Sequence, residues 1–245
     1  MSHNRPALPD SALPIAHARD ISSGVGRSNK HESADKHVSG EAIYIDDKAE
    51  QPGLLHLCPR LSDHAHARIT HVDVQPCYDV PGVVRVLTWQ DVPGVNDVGP
   101  LQPGDPLLAQ DCVEYVGQII IAVLADSPDA ARQGAMAAVI EYEVLPALLD
   151  VEQALLQGSF VQVPHIHQRG DVEAALARAP HRIQGAFHIG GQEHFYLETQ
   201  TAMVIPGEDD ALQVFCSTQN PTEVQKLVAE VMGISMNKVT IDMRR

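Results

Sequence analysis

A strand–helix–strand pattern near the carboxyl end constrains the fold of this chain more than any other feature. The apolar segment 211–217 predicts a strand, and the next helix begins with Asn220 as its N-cap and Pro221 at its first position. Glu223 lies three residues after the cap, as in a capping box, and apolar residues then recur at helical spacing. After a glycine, residues 238–243 predict a second strand, so the unit indicates a right-handed crossover in a sheet.

An earlier part of the chain repeats this alternation. Residues 117–125 are continuously apolar, which is typical of a strand buried on both faces. Ser127 and Pro128 start a helix that extends to about residue 139, and residues 139–145 return as a strand. We therefore predict a β-α-β unit here and a mixed α/β (α+β) fold for the chain.

Shorter elements and a domain division follow from the same patterns. A proline- and glycine-rich loop at 92–106 has a length typical of functional or contact-making loops. The prolines of the amino terminus indicate a flexible lead-in, and the loop-like composition around 159–170 indicates a domain boundary there. Further strands are predicted at 39–47, 53–60, 66–74, 81–87, 181–191 and 201–205, and short helices at 151–158 and 171–179.

Composition disfavours several classes of function. The formal net charge of −15 repels phosphate backbones and anionic lipid, so neither nucleic acid nor a membrane is expected as a partner. The four cysteines form no CxxC pair, which removes support for a zinc ribbon, a dithiol motif or an iron–sulfur cluster. The amino terminus lacks the apolar core of a signal peptide, so the default expectation is a cytoplasmic protein.

Gln219 is the foremost candidate for chemistry in this sequence. It follows a predicted strand and precedes a helix, which is where open α/β sheets gather ligands. Its amide can donate a hydrogen bond to an oxo group without adding charge. A plain turn residue beside a helix cap fits the same position, and position alone favours that interpretation.

A second candidate region precedes the hairpin at 201–217. Gly190 and Gly191 permit a tight turn or the close approach of a ligand, and Gln192 could then face it. Other residues of metal-ligand type match no familiar ligand spacing, so ordinary surface or core roles are favoured for them. They are Glu193, His194, Glu198, the pair His64 and His66, and the pair His165 and His167.

Six segments in register resemble the molybdenum-cofactor subunits of the xanthine dehydrogenase family. In order, they are SSGVGRS, HVSGEAIYIDD, HAHARI, VGQIIIAVLADSPDAAR, GGQEHFYLET and STQNPTEVQKLVAEV. The resemblance, which begins near Gly24, implies an α/β hammerhead domain at 24–158 and the start of a molybdopterin-binding domain at 159–245, after a flexible lead-in at 1–23. It also implies that Gln219 hydrogen-bonds an oxo ligand of molybdenum without binding the metal directly. The ligand expected near Gln192, Gly190 and Gly191 is then this cofactor.

The resemblance further implies hydroxylation of hypoxanthine or xanthine to urate, with water as the oxygen source. Electrons would pass to 2Fe-2S and FAD centres on a partner subunit and then to NAD, in a heterotetramer with two copies of each subunit. In this family the catalytic base is a glutamate in a glycine-rich loop that follows the position of residues 243–245. We therefore expect no catalytic residue within the 245 residues.

Two further interpretations stay open at this point. The chain could be an inactive, truncated scaffold that contacts the partner subunit without turnover. It could also come from a relative that oxidises aldehydes or other N-heterocycles, because the family's substrate-defining residues lie beyond Arg245.

Overall fold

The computed structural model describes residues 26–48 and 51–243 of the chain. The lead-in predicted at 1–23 lies outside this part. The α-helices within it are α1 (Ala34–Ser39), α2 (Gln75–Tyr78), α3 (Pro128–Ala137), α4 (Val151–Leu156), α5 (Val172–Arg178) and α6 (Pro221–Met232). The strands are β1 (His56–Leu61), β2 (Ala67–Asp73), β3 (Val83–Leu87), β4 (Cys112–Val113), β5 (Ile119–Ala125), β6 (Val139–Val144), β7 (Ala202–Pro206), β8 (Leu212–Cys216) and β9 (Val239–Asp242).

Strand β5 is the centre of the larger hydrophobic core. It pairs antiparallel with β1 on one edge and with β3 on the other. Its consecutive residues Ile120 and Ile121 are both 2% exposed or less, so the strand is buried on both faces, as its apolar run predicted. A second sheet in the order β4-β2-β6, helix α3, Cys77 of α2 and Ala109 contribute further residues to this core.

Helix α3 approaches the first sheet closely because Gly134 has no side chain. A Cβ atom at this position would lie 2.7 Å from Cγ2 of Val83 and 2.9 Å from Cγ1 of Val123. Both distances are shorter than real Cβ contacts. Glycine lowers helix propensity, but the packing at this position requires it.

The third sheet confirms the pattern at the carboxyl end of the chain. Strands β7 and β8 form the predicted antiparallel hairpin, and β8 and β9 lie parallel on either side of the connection through α6. Asn220 caps α6 by accepting a hydrogen bond from the Glu223 amide at 3.2 Å, and Gly233 ends it in the left-handed conformation at φ 65°. Val214, Ala229 and Val239 form the small core between this helix and the sheet.

The β-α-β unit predicted around α3, in which β5 and β6 would belong to one sheet, is wrong. Strand β6 pairs antiparallel with β2 in the second sheet, not with β5. Both edges of β5 are already hydrogen-bonded to β1 and β3, so β6 has no free edge beside it.

Two further strand predictions are also wrong. Residues 39–47 form no strand: Ser39 ends α1, and the Asp47 carboxylate accepts the Tyr44 amide at 2.9 Å, which closes a local turn. Residues 181–191 form no strand and are exposed along their whole length. Their apolar residues alternate as in a strand, yet no strand of the described chain pairs with them.

The proline- and glycine-rich loop at 92–106 makes the contact that its length suggested. The amides of Gly94 and Val95 donate to the carbonyl oxygens of Val231 and Glu230, at 2.8 and 3.0 Å. These oxygens belong to the last turn of α6, where helix carbonyls lack partners inside the helix. The loop therefore caps the carboxyl end of α6. It connects the part of the chain before residue 106 to the helix that packs on the sheet β7-β8-β9.

Side chains inside the loop hold it in shape. The Asp97 carboxylate accepts hydrogen bonds from the amides of Gly99, Gly104 and Asp105, at 2.8, 2.6 and 3.4 Å. The hydrogen bonds from Gly99 and then Gly104 hold the pKa of Asp97 below its ordinary value.

Within the described ranges, no helix is both long enough and apolar enough to cross a membrane.

Candidate functional site

The turn that carries Gln219 is held by its other side chains. It connects β8, which ends at Cys216, to α6, and it comprises residues 217–220. Ser217 donates through its hydroxyl to the Glu198 carboxylate. Thr218 accepts the Asn220 amide on its hydroxyl oxygen at 3.0 Å, and Asn220 caps the helix. Three of the four side chains in this turn are therefore committed to holding its conformation.

The fourth side chain, that of Gln219, is exposed and makes no hydrogen bond to other residues of the described chain. Its amide therefore keeps two N–H donors and a carbonyl acceptor for a ligand. The position adjoins the amino terminus of α6, where the helix dipole favours negative charge. A neutral donor beside a positive helix end suits an oxygen-rich anionic group.

Glu198 connects this turn to a distant part of the chain. One of its carboxylate oxygens accepts the Ile45 amide at 2.7 Å, and the other accepts the Ser217 hydroxyl. Ile45 and Glu198 are 153 residues apart in sequence. Among residues 181–200 only Glu198 is partly buried.

A cavity of about 210 Å³ lies beside this contact. It opens where β8 and β9 end, and parallel strands collect ligands at this edge of a sheet. The ammonium group of Lys48 lies 3.9 Å from the ring centroid of Phe215, so it closes part of the wall by a cation–π contact. The lining residues are Lys36, Ile43, Tyr44, Ile45, Lys48, Glu198, Phe215, Cys216, Ser217 and Asp242.

The cavity wall combines charges of both signs with a neutral thiol. Two lysines face it together with Glu198 and Asp242. Burial raises the pKa of Cys216, which keeps its thiol protonated near neutral pH. The cavity is thus suited to a polar group that needs both donors and acceptors.

The other predicted cofactor residues make no hydrogen bond with Gln219. Gly190, Gly191 and Gln192 are exposed, and a Cβ on either glycine would meet no atom within 4 Å. The space that a ligand would need is therefore present, but no hydrogen bond joins these residues to the turn at 217–220. Their assignment to the cofactor stays a prediction.

The remaining candidates of metal-ligand type are separated or engaged elsewhere. The imidazole of His66 forms a hydrogen bond with the carbonyl oxygen of Pro146 at 2.6 Å, and His64 packs edge-on against Tyr142. His165 and His167 are exposed. Across residues 26–48 and 51–243, no group of three or more His, Cys, Asp and Glu side chains is arranged to hold a metal ion.

The contact between Ile45 and Glu198 could not be read from the sequence. Both segments carried the family resemblance, but their long separation gives no local signal of a hydrogen bond. The cavity beside it was missed for the same reason.

Comparison with known proteins agrees with this architecture. The model for "Aldehyde oxidase and xanthine dehydrogenase, a/b hammerhead domain" matches residues 39–146. The model for "Molybdopterin cofactor-binding domain" matches residues 157–245. The chain belongs to the aldehyde oxidase and xanthine dehydrogenase family of molybdenum hydroxylases.

Individual relatives show the same likeness. The chain is 38% identical to a xanthine dehydrogenase of Calliphora vicina over 245 residues, covering 98% of this chain and 18% of that protein. It is 40% identical to aldehyde oxidase 1 of Bos taurus over 224 residues, covering 90% of this chain and 17% of that protein. The structure of an aldehyde oxidoreductase from Desulfovibrio gigas shares the fold, with a TM-score of 0.77 at 24% identity, and covers 87% of this chain and 26% of that one.

The chain thus spans less than a fifth of the length of these two curated relatives. The expected α/β hammerhead domain, followed by the start of a molybdopterin-binding domain, is confirmed. The second match supports the predicted molybdenum cofactor.

Proposed function

We propose that this chain forms part of the molybdenum-containing subunit of a xanthine dehydrogenase that hydroxylates hypoxanthine and xanthine to urate. The observation that carries the proposal is the turn at 217–220, in which Gln219 alone has an uncommitted side chain. The molybdenum cofactor would supply the redox chemistry, with water as the source of oxygen.

Gln219 would hold an oxygen of the cofactor through its amide N–H and would not bind the metal. Gly190 and Gly191 would allow the cofactor to approach the backbone, with Gln192 beside it. The open space around the two glycines is compatible with this role.

The other participants follow from the same proposal. Electrons would leave through 2Fe-2S and FAD centres of a partner subunit to NAD, in a heterotetramer of two copies of each subunit. We also place the boundary between the two domains at residues 158 and 159, which the exposed segment 159–170 supports.

The test of the Gln219 assignment is Gln219→Ala in the full-length protein. Loss of the amide should lower both the molybdenum content per protein and the turnover of xanthine. Gln213→Ala is the matched control, because Gln213 is an exposed glutamine on the adjacent strand β8. Full molybdenum content and unchanged turnover in the Gln219 variant would contradict the assignment.

A second candidate function is oxidation of aldehydes or of other N-heterocycles. It is favoured by the 40% identity to an aldehyde oxidase, which exceeds the 38% identity to the xanthine dehydrogenase compared above. Steady-state assays of the full-length protein with xanthine, an aromatic aldehyde and quinoline decide between the two. Urate formation with the highest kcat/KM supports the first function, and a higher kcat/KM for the aldehyde or quinoline replaces it with the second.

A further inference from the structure

Glu198 connects the turn that carries Gln219 to the segment 43–48. Its two carboxylate oxygens serve different elements, since one accepts the Ile45 amide at 2.7 Å and the other accepts the Ser217 hydroxyl. Hydrogen bonds to an ionised carboxylate are stronger than those between neutral groups. A single side chain thus connects two segments that are remote in sequence.

Neighbouring contacts tie the same two regions together. The Thr201 hydroxyl donates to the Asp46 carboxylate at 3.4 Å, next to Ile45 in sequence. The Lys48 ammonium group lies over the ring of Phe215, two residues before Ser217. These contacts and those of Glu198 form a joint, by which we mean the set of contacts between the segment 43–48 and the end of β8.

The turn depends on this joint at its first residue. Thr218 and Asn220 fix the middle and the end of the turn through local hydrogen bonds. Ser217 is the residue whose side chain connects the turn to another part of the molecule. Loss of the Glu198 carboxylate would leave the helix cap intact but would free the residue that precedes Thr218 and Gln219.

We propose that Glu198 is a positioning residue for Gln219, which holds the turn at 217–220 against the segment 43–48. This inference rests on the proposed function of Gln219. It assigns to Glu198 a structural contact with a catalytic consequence, and it makes the segment 43–48 part of the support of the cofactor site.

The first test measures the contact without reference to activity. Hydrogen–deuterium exchange of the full-length protein is followed in peptides that cover Ile45 and the turn at 217–220. In Glu198→Ala the Ile45 amide should exchange about ten- to a hundredfold faster, the effect of losing a hydrogen bond to a charged group. Glu198→Gln keeps an acceptor for Ile45 and a partner for Ser217, so it should restore most of the protection.

Glu193→Ala is the matched control for these variants. Glu193 is an exposed glutamate in the same segment, and among the described residues its carboxylate accepts a hydrogen bond only from the nearby Phe195 amide, at 3.3 Å. Exchange at Ile45 should be unchanged in this variant. Unchanged exchange at Ile45 in Glu198→Ala as well would overturn the inference.

The second test asks whether Glu198 acts through Gln219. Glu198→Ala should lower kcat about tenfold or more with little change in KM, and Glu198→Gln should recover most of the loss. In the Gln219→Ala background, Glu198→Ala should have little further effect, because residues that act through one another are not additive. An equal loss in both backgrounds, or wild-type kcat in Glu198→Ala, overturns the positioning role.

Failure of the inference and failure of the proposed function give different results. Wild-type turnover and molybdenum content in Gln219→Ala refute the proposed function, and the inference with it. An impaired Gln219→Ala variant beside an active Glu198→Ala variant refutes the inference alone.

Discussion

Gly94→Ala should detach the loop at 92–106 from helix α6. A Cβ on Gly94 would lie 2.0 Å from the carbonyl oxygen of Glu230, 2.6 Å from the amide nitrogen of Gly233 and 2.8 Å from the carbonyl oxygen of Val231. All three are backbone atoms, so no side chain can rotate away. Since real Cβ atoms are essentially never found within 3.0 Å of such atoms, the loop must move by about 3.0 − 2.0 = 1.0 Å.

A shift of this size breaks both hydrogen bonds between the loop and the helix. The bonds from Gly94 and Val95 measure 2.8 and 3.0 Å, so an added displacement of about 1 Å takes them beyond hydrogen-bonding distance. Each such bond contributes about 0.5–1.5 kcal/mol, so their loss should cost about 1–3 kcal/mol. The Val231 carbonyl oxygen then loses its donor from the loop, while the Glu230 carbonyl oxygen keeps the hydrogen bond from the Gly233 amide at 3.2 Å.

Hydrogen–deuterium exchange provides the assay, because a local opening need not change global unfolding. Exchange should accelerate in the peptide at 92–96, whether or not the temperature of global unfolding changes. Gly185→Ala is the control, since a Cβ at Gly185 meets no atom within 4 Å. Equal protection in Gly94→Ala, Gly185→Ala and the wild-type protein would refute the docking of this loop.

Three further predictions concern other parts of the chain. Gly134→Ala should lower the free energy of unfolding, measured by denaturant titration, by about 1–3 kcal/mol. Crowding of the new Cβ against Val83 and Val123 outweighs the gain in helix propensity of about 1 kcal/mol. A raised denaturation midpoint would contradict this prediction. The pKa of Asp97 is lowered in the folded state. The Asp97 carboxylate therefore stabilises the folded protein above about pH 4, and this contribution is lost as the pH falls through the pKa of the folded state. Amide exchange at Gly104 should accelerate on acidification, and it should accelerate less in Asp97→Asn. The 245-residue polypeptide alone should form no urate from xanthine, and urate formation by the pure polypeptide would show that its own residues include a catalytic base.

Local signals predicted the third sheet well. The cap at Asn220 and the ending at Gly233 are contained in a few neighbouring residues, and they fixed the limits of α6 closely. The apolar run of β5 likewise predicted its burial. Such features depend on interactions within one or two turns of chain, so a single sequence is sufficient for them.

Pairing and long-range contacts could not be predicted in this way. The alternation at 181–191 indicated a strand, but a strand exists only with a partner, and no described strand supplies one. The β5–β6 pairing failed because β1 and β3 occupy both edges of β5. Glu198 was known only as a possible ligand, and its hydrogen bond to Ile45 depends on how the whole chain folds.

The sheet β7-β8-β9 has a consequence for how this polypeptide behaves in concentrated solution. Within the described residues its two outer strands, β7 and β9, are each paired on one side only. Open edges bind further strands through backbone hydrogen bonds, without a demand for a particular side chain. Ile183 and Phe187, which precede this sheet in sequence, are almost fully exposed. The isolated polypeptide therefore has open strand edges together with an exposed apolar segment that can pair with them, and we expect it to aggregate edge to edge at high concentration.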